Sequence, residues 1–136
     1  MSTLDNKGVL IGAIAEFNKP ERRDGYFALY APDAVLHRSP PLAPGIDAIK
    51  QWYRSLWAAF PDCHLTLGNV VAEGDFVANN FRLTGTHRGV FLGTPASGRP
   101  IDVEGVTILR FAHRKCVERW SQTDVLGIMR QIGAAL

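Results

Sequence analysis

The second half of the chain contains four segments in which apolar and polar residues alternate, a pattern typical of half-buried β-strands. Turn signals separate these segments in pairs, with Glu73-Gly74-Asp75 between the first two and His113-Arg114-Lys115 between the last two. The predicted strands are Cys63 to Glu73, Phe76 to His87, Ile101 to Phe111 and Cys116 to Thr123. Because short turns join strands that run in opposite directions, the pattern predicts an antiparallel meander.

Two of the predicted strands each carry one mainly apolar face. The face on the second strand consists of Val77, Asn79, Phe81, Leu83 and His87. The face on the third strand consists of Ile101, Val103, Thr107, Leu109 and Phe111. We expect both faces to point towards the interior. The segment between these strands, Arg88 to Pro100, is rich in glycine and proline and is long for a hairpin loop, so we expect it to cover a binding site.

Helical periodicity dominates the first half of the chain. Apolar residues between Leu10 and Phe17 predict one helix, and Pro20 opens a second, short one that extends to Leu29. A short strand, Ala34 to His37, precedes a third helix between Gly45 and Pro61, whose aromatic stripe needs a broad surface to pack on. A last helix is predicted from Val125 to Ala135. The chain therefore belongs to the α+β class.

Composition excludes several kinds of protein. With 46% hydrophobic and 21% charged residues, the 136-residue chain is predicted to form a single globular domain over residues 1–136. Fifteen basic and thirteen acidic residues are scattered, with a formal charge of +2, so no nucleic-acid partner is expected. The longest apolar run, Gly8 to Ala15, is too short to span a membrane. Residues 1–5 lack the features of a secretory signal, so we expect a cytoplasmic protein in which Cys63 and Cys116 are reduced.

Several short strings carry a family resemblance that covers nearly the whole chain. The longest is Gly85 to Pro95, GTHRGVFLGTP, and others are Phe60-Pro61-Asp62, Gly98-Arg99 and Val117-Glu118-Arg119-Trp120. These strings, with three helices before a bent sheet, resemble the SnoaL-like polyketide cyclases, also called ester cyclases. The resemblance implies the cone-shaped fold of the nuclear transport factor 2-like superfamily. In that fold, three helices and a C-terminal helix close over a strongly curved antiparallel sheet and leave one deep, mainly apolar pocket.

The resemblance also implies a type of chemistry. In these cyclases a carboxylate on the last strand takes a proton from the carbon beside a carbonyl group, with no metal or cofactor, and an aldol ring closure follows. When these strings are aligned with the family, the position of this acid is Ser121. The position of a histidine found on the neighbouring strand of the cyclases is Thr107. Both groups are hydroxyls, which need help to act as a base near neutral pH.

Two other residues are candidates for the acid and base. Asp124 lies close to the expected acid position, where it either acts at the pocket mouth as a base or caps the last helix. His37, at the end of the first strand, either acts as a base or donor at the rim or is a partly exposed strand end. His87 is expected either to anchor the long loop or to contact substrate. Since the four histidines are scattered, no metal site is predicted.

The pocket wall is predicted from the apolar faces. Its expected members are Trp52, Leu56, Phe81, Thr107 and Leu109. Arg119 and Ser121 share one face of the last strand and Trp120 the other, so only one of these faces contributes to the wall. If Trp120 lies outside, it and Ile108 predict a homodimer formed across the outer face of the sheet.

The leading functional hypothesis is a cofactor-independent enzyme that acts on a small apolar carbonyl compound by acid/base catalysis, through aldol cyclisation or isomerisation. Its catalytic candidates are Asp124, His37 and Ser121. The alternatives are a ligand-binding protein of the same fold that lacks catalysis and an epoxide or ester hydrolase that uses an activated water.

Overall fold

The computed structural model describes residues 3–135. The helices are α1 (Thr3–Phe17), a 3₁₀ segment (Pro20–Leu29), α2 (Ile46–Ala59) and α3 (Val125–Gln131). The strands are β1 (Tyr30–His37), β2 (His64–Glu73), β3 (Phe76–Thr86), β4 (Pro100–Ala112) and β5 (Lys115–Thr123). The ends of the predicted domain, residues 1, 2 and 136, lie outside the described residues.

The helices bury the apolar faces that their periodicity predicts. On α1 the side chains of Leu10, Ile14 and Phe17 are buried, and on α2 those of Ile49 and Tyr53 are buried. Pro20 occupies the start of the second helical segment, as expected, but this segment is a 3₁₀ helix interrupted by the non-helical backbone of Arg22. No helix of residues 3–135 is long and apolar enough to cross a membrane.

The five strands form one sheet in the order β1-β5-β4-β3-β2. Strands β2 to β5 pair antiparallel, as the turn signals predict. Strand β1, however, pairs parallel with β5, with Leu36 opposite Arg119 and His37 opposite Trp120. The prediction of a wholly antiparallel sheet is therefore wrong at this edge, and the sheet is mixed. Parallel pairing requires a long crossover, and α2 with three intervening strands supplies it.

Among the predicted boundaries that differ, those of β1 and α3 have a visible physical cause. Strand β1 begins at Tyr30 rather than Ala34, because an edge strand tolerates the exposed Pro32, where its pairing with β5 shifts. Helix α3 ends at Gln131 rather than Ala135, because Gly133 adopts a left-handed backbone with φ of 78° that a helix cannot continue.

The two faces expected to point inward are buried between the sheet and the helices. Val77, Phe81 and Leu83 on β3 belong to this core, as do Val103 and Leu109 on β4. Opposite Phe81 lies Gly105, where a Cβ atom would overlap the phenyl ring and the carbonyl oxygen of Gln122. A glycine at this position thus lets Phe81 lie flat across the neighbouring strand.

Candidate functional site

A small cavity lies between α2, the inner face of the sheet and the start of α3. Its volume is about 50 Å³, enough for a few water molecules and less than the roughly 300 Å³ of a typical ligand pocket. Most of its wall is apolar, and three of the residues expected in a pocket wall, Trp52, Leu56 and Phe81, lie in it. Side chains therefore fill most of the cone.

Besides Trp52 with its indole N–H, five lining residues bear polar groups, and two of these five are charged. The five are Arg38, Tyr53, Arg119, Ser121 and Thr123. Among the described residues, no aspartate, glutamate or histidine lines this cavity. The charge in the cavity wall is therefore wholly positive, because a guanidinium group stays protonated at any physiological pH.

Arg119 on β5 is buried, with only 4% of its surface exposed. Its Nη1 donates to the hydroxyl oxygens of Tyr26 and Tyr30, each at 2.6 Å, and to that of Tyr53 at 3.1 Å. Tyr26 and Tyr30 also share a hydrogen bond of 2.6 Å. Burial raises the pKa of both phenols well above the ordinary value, so they remain neutral. Phenol dipoles, rather than a carboxylate, stabilise this buried cation.

The three tyrosines come from separate elements. Tyr26 belongs to the 3₁₀ segment, Tyr30 begins β1 and Tyr53 lies on α2. Their rings contact one another at centroid separations of 4.8 to 6.5 Å. Packing therefore fixes each hydroxyl before any ligand arrives, and Arg119 is held rigidly. Its Nε atom is buried without a hydrogen-bond partner.

Arg38, immediately after β1, is the second charged group of the wall. Its guanidinium carbon lies 3.4 Å from the centroid of the Trp52 ring, a cation–π contact. Nη2 donates to the carbonyl oxygen of Ser39 at 2.9 Å, whereas Nη1 is buried without a hydrogen-bond partner. Burial lowers the pKa of this guanidinium from its ordinary value, as expected where water has been removed from a cation.

The last strand presents Arg119, Ser121 and Thr123 to the cavity. Trp120 between them lies on the outer face, where 38% of it is exposed and its ring stacks on His37 at 5.3 Å. Ser121, which the family resemblance aligns with the acid of the cyclases, thus lines the cavity. Trp120, predicted as a possible binding residue, is not part of the wall.

The structure does not bring the predicted acid/base pair together. The Asp124 carboxylate accepts a hydrogen bond from the backbone N–H of Gly127 at 2.8 Å, and the residue is the N-cap of α3. His37 Nε2 lies 2.7 Å from a carboxylate oxygen of Glu118 on the outer face. Neither Asp124 nor His37 is among the cavity-lining residues in the described part of the chain.

Three more candidates, His87, Thr107 and Leu109, are buried away from the cavity wall. Nδ1 of His87 accepts a hydrogen bond from the backbone N–H of Ser97 at 3.1 Å and lies 2.8 Å from its Oγ, so His87 anchors the long loop. Thr107 accepts a hydrogen bond from Asn79 at 2.7 Å, and Leu109 beside it is fully buried. Thr107 and Leu109 therefore belong to the core.

An open mixed sheet whose inner face packs against helices around a cavity is the architecture of the nuclear transport factor 2-like cone fold. The family model of the SnoaL-like polyketide cyclases matches residues 9–132. The chain therefore belongs to this family.

Solved structures agree with that assignment. AclR from Streptomyces galilaeus, a candidate hydroxylase, is 26% identical, with a TM-score of 0.85 and coverage of 97% of this chain and 98% of that one. IdmH from Streptomyces antibioticus, a candidate polyketide cyclase, is 28% identical, with a TM-score of 0.78 and coverage of 95% and 99%. TsrD from Streptomyces laurentii is 26% identical, with a TM-score of 0.84 and coverage of 99% of both chains. No curated protein matches the sequence.

Proposed function

We propose that this protein binds a small apolar carbonyl compound in the cone cavity and stabilises its enolate during a cofactor-independent cyclisation or isomerisation. The observation that carries the proposal is the charge of the wall, which contains two guanidinium groups and neither a carboxylate nor an imidazole among the described residues. A preorganised cation in an apolar cavity favours a ligand oxygen on which negative charge develops.

The chemistry follows from the fixed position of Arg119. When a C–H bond beside a carbonyl group breaks, its electron pair moves towards the carbonyl oxygen. Arg119 and the Tyr53 hydroxyl, which share a 3.1 Å hydrogen bond, are the donors available to that oxygen. The released proton passes to water. In a cyclisation, the enolate carbon then attacks a second carbonyl group, and the resulting alkoxide takes a proton from water.

This proposal differs from the usual scheme of the family in its proton acceptor. Ser121 occupies the acid position, and a serine hydroxyl is a poor base without an activating partner. The protein therefore contributes stabilisation of the oxyanion rather than a side-chain base. Such catalysis suits substrates whose C–H bond is already acidic, such as compounds with a methylene group between two carbonyls.

The same lack of a base supports a second candidate, a binding protein that holds the ligand without turning it over. Hydrolysis of an epoxide or ester is less well supported, because a water activated by an Asp–Arg pair needs a carboxylate in the cavity. Enzyme and binding protein are therefore the two functions to distinguish.

Deuterium exchange separates these two functions. β-Tetralone, an apolar aromatic ketone, is incubated in D₂O with a small molar fraction of protein, and NMR follows the loss of its α-proton signals. The proposal predicts accelerated exchange over many turnovers, and slower exchange for Arg119→Lys, with circular dichroism to check folding. Exchange at the buffer rate with the parent, but gained in Ser121→Asp, would establish the binding protein instead.

We also propose that two copies associate across the outer face of the sheet. Large apolar side chains are exposed on this face, with 46% of Ile108, 38% of Trp120 and 44% of Phe76 accessible. A monomer would leave this patch in water, and a second copy can cover it by twofold symmetry.

The cytoplasmic location remains a prediction from the sequence.

A further inference from the structure

Arg38 is a cation at the edge of the cavity that lacks an ion-pair partner within residues 5–135. Of its two terminal nitrogens, one donates to the Ser39 carbonyl and the other is buried without any partner. A buried N–H group that makes no hydrogen bond destabilises the folded protein. The contact with Trp52 therefore leaves part of the hydrogen-bonding capacity of this guanidinium unused.

A second arginine that contacts an aromatic ring, Arg54, has a different environment. Arg54 lies 5.4 Å from the Phe27 ring, but it is exposed and pairs with Asp24 at 3.3 Å. Stacking on an aromatic ring is thus common to Arg38 and Arg54, whereas the partly buried position without a counterion belongs to Arg38. Within residues 5–135, Arg38 thus has a buried N–H group that neither a hydrogen bond nor an ion pair satisfies.

We propose that Arg38 binds a carboxylate of the ligand, so that the substrates are carbonyl compounds that also bear an acid group. This inference rests on the proposed function, in which the carbonyl oxygen of the same ligand contacts Arg119. Both guanidinium groups line one cavity, and the planar fork of an arginine matches a carboxylate with two parallel hydrogen bonds. An apolar group attached to the carbonyl carbon would contact the wall around Leu56 and Phe81.

Entry of such a ligand needs more room than the cavity offers. The cavity volume of about 50 Å³ is smaller than the volume of an aromatic keto acid. Rotation of Arg38 away from the Trp52 ring exchanges a cation–π contact for a charge-assisted pair with the carboxylate. Because the pair with the carboxylate is stronger than the cation–π contact, ligand binding favours the conformation in which Arg38 has rotated away from Trp52.

The test compares two ligands that differ in one charge, β-benzoylpropionate and its primary amide. Their dissociation constants are measured by isothermal titration calorimetry with the parent protein, Arg38→Gln, Arg38→Lys and the control Arg54→Gln. We expect the parent and Arg54→Gln to bind the carboxylate about 10-fold or more tighter than the amide, since one charge-assisted pair is worth about that factor. In Arg38→Gln the ratio should fall to about 1, with partial recovery in Arg38→Lys.

Each other outcome overturns the inference. Equal binding of acid and amide by the parent, an acid preference that survives in Arg38→Gln, or no binding of either ligand contradicts recognition of a carboxylate by Arg38. The deuterium exchange of neutral β-tetralone is independent of this contact. If the parent protein still accelerates the exchange of β-tetralone, only the recognition of a carboxylate by Arg38 is wrong. If the parent does not accelerate this exchange either, the proposed function fails too.

Discussion

The hydrogen bonds around Arg119 make a quantitative prediction about stability. Nη1 carries two N–H groups but lies within reach of three phenol oxygens, at 2.6, 2.6 and 3.1 Å. The two short contacts, to Tyr26 and Tyr30, are therefore the strong ones, and Tyr53 is a weaker third. Because each Tyr→Phe change removes only a hydroxyl, it tests the hydrogen bonds of that hydroxyl without opening a cavity in the core.

Tyr26→Phe should lower the free energy of unfolding by about 2 kcal/mol. It removes one charge-assisted hydrogen bond, worth about 1.5 to 3 kcal/mol, although Tyr53 replaces part of that loss. It also deprives the Tyr30 hydroxyl of its 2.6 Å partner. Tyr53→Phe removes only the long contact, so it should cost less than about 1 kcal/mol.

Urea denaturation followed by circular dichroism measures both values. A loss of about 2 kcal/mol corresponds to a midpoint lowered by about 1 M, for a slope near 2 kcal/mol per molar urea. If Tyr26→Phe were as stable as the parent, or if Tyr53→Phe were the more damaging change, the phenols would not be what stabilises the buried guanidinium.

Three further predictions address the cap, the thiols and the outer face. Asp124→Asn should leave stability and exchange activity nearly unchanged, whereas Asp124→Ala should cost about 1 kcal/mol in a thermal melt, because asparagine caps as well as aspartate. Burial raises the pKa of Cys63 and Cys116 to about 11. Both thiols should therefore resist iodoacetamide at pH 8 until the chain is unfolded, and stability should fall as pH rises from the ordinary thiol range towards 11. Ile108→Glu should convert a dimer to a monomer in sedimentation velocity, and a parent that already sediments at 15.0 kDa would contradict the dimer.

Local signals explain why much of the fold could be predicted. The alternation of apolar and polar residues, together with the turn residues, predicted the bounds of strands β2 to β5 almost correctly. Both patterns are set by neighbouring residues. The parallel pairing of β1 with β5 joins Leu36 to Arg119, residues far apart in the chain. No local pattern encodes such a pairing, so the direction of β1 could not be predicted from neighbouring residues, and the antiparallel sheet implied by the resemblance does not hold at that edge.

The same limit applies to the site. The alternation of side chains along a strand placed Arg119 and Ser121 on one face and Trp120 on the other. Which of these faces points inward depends on contacts with distant elements. The convergence of Tyr26, Tyr30 and Tyr53 on Arg119 was missed, since these tyrosines lie on three elements. The available signal was an arginine on the same strand face as Ser121, at a position where a buried charge needs several polar partners.

Arg38 was missed for a simpler reason. It follows a strand and precedes a proline-rich stretch, where an arginine is usually solvated. Its position against Trp52 depends on the packing of α2 beside β1, which only the tertiary structure reveals.

If the cavity stabilises an enolate, a β-diketone bound in it should become more acidic than the same compound in water. Benzoylacetone changes its ultraviolet absorbance when it loses a proton, so its pKa can be titrated with and without saturating protein. We expect the pKa of the diketone to be lowered by about one unit or more in the parent, equivalent to about 1.4 kcal/mol of preference for the anion, with a smaller shift in Arg119→Lys. An unchanged or raised pKa of the bound diketone would contradict stabilisation of an enolate by the cavity.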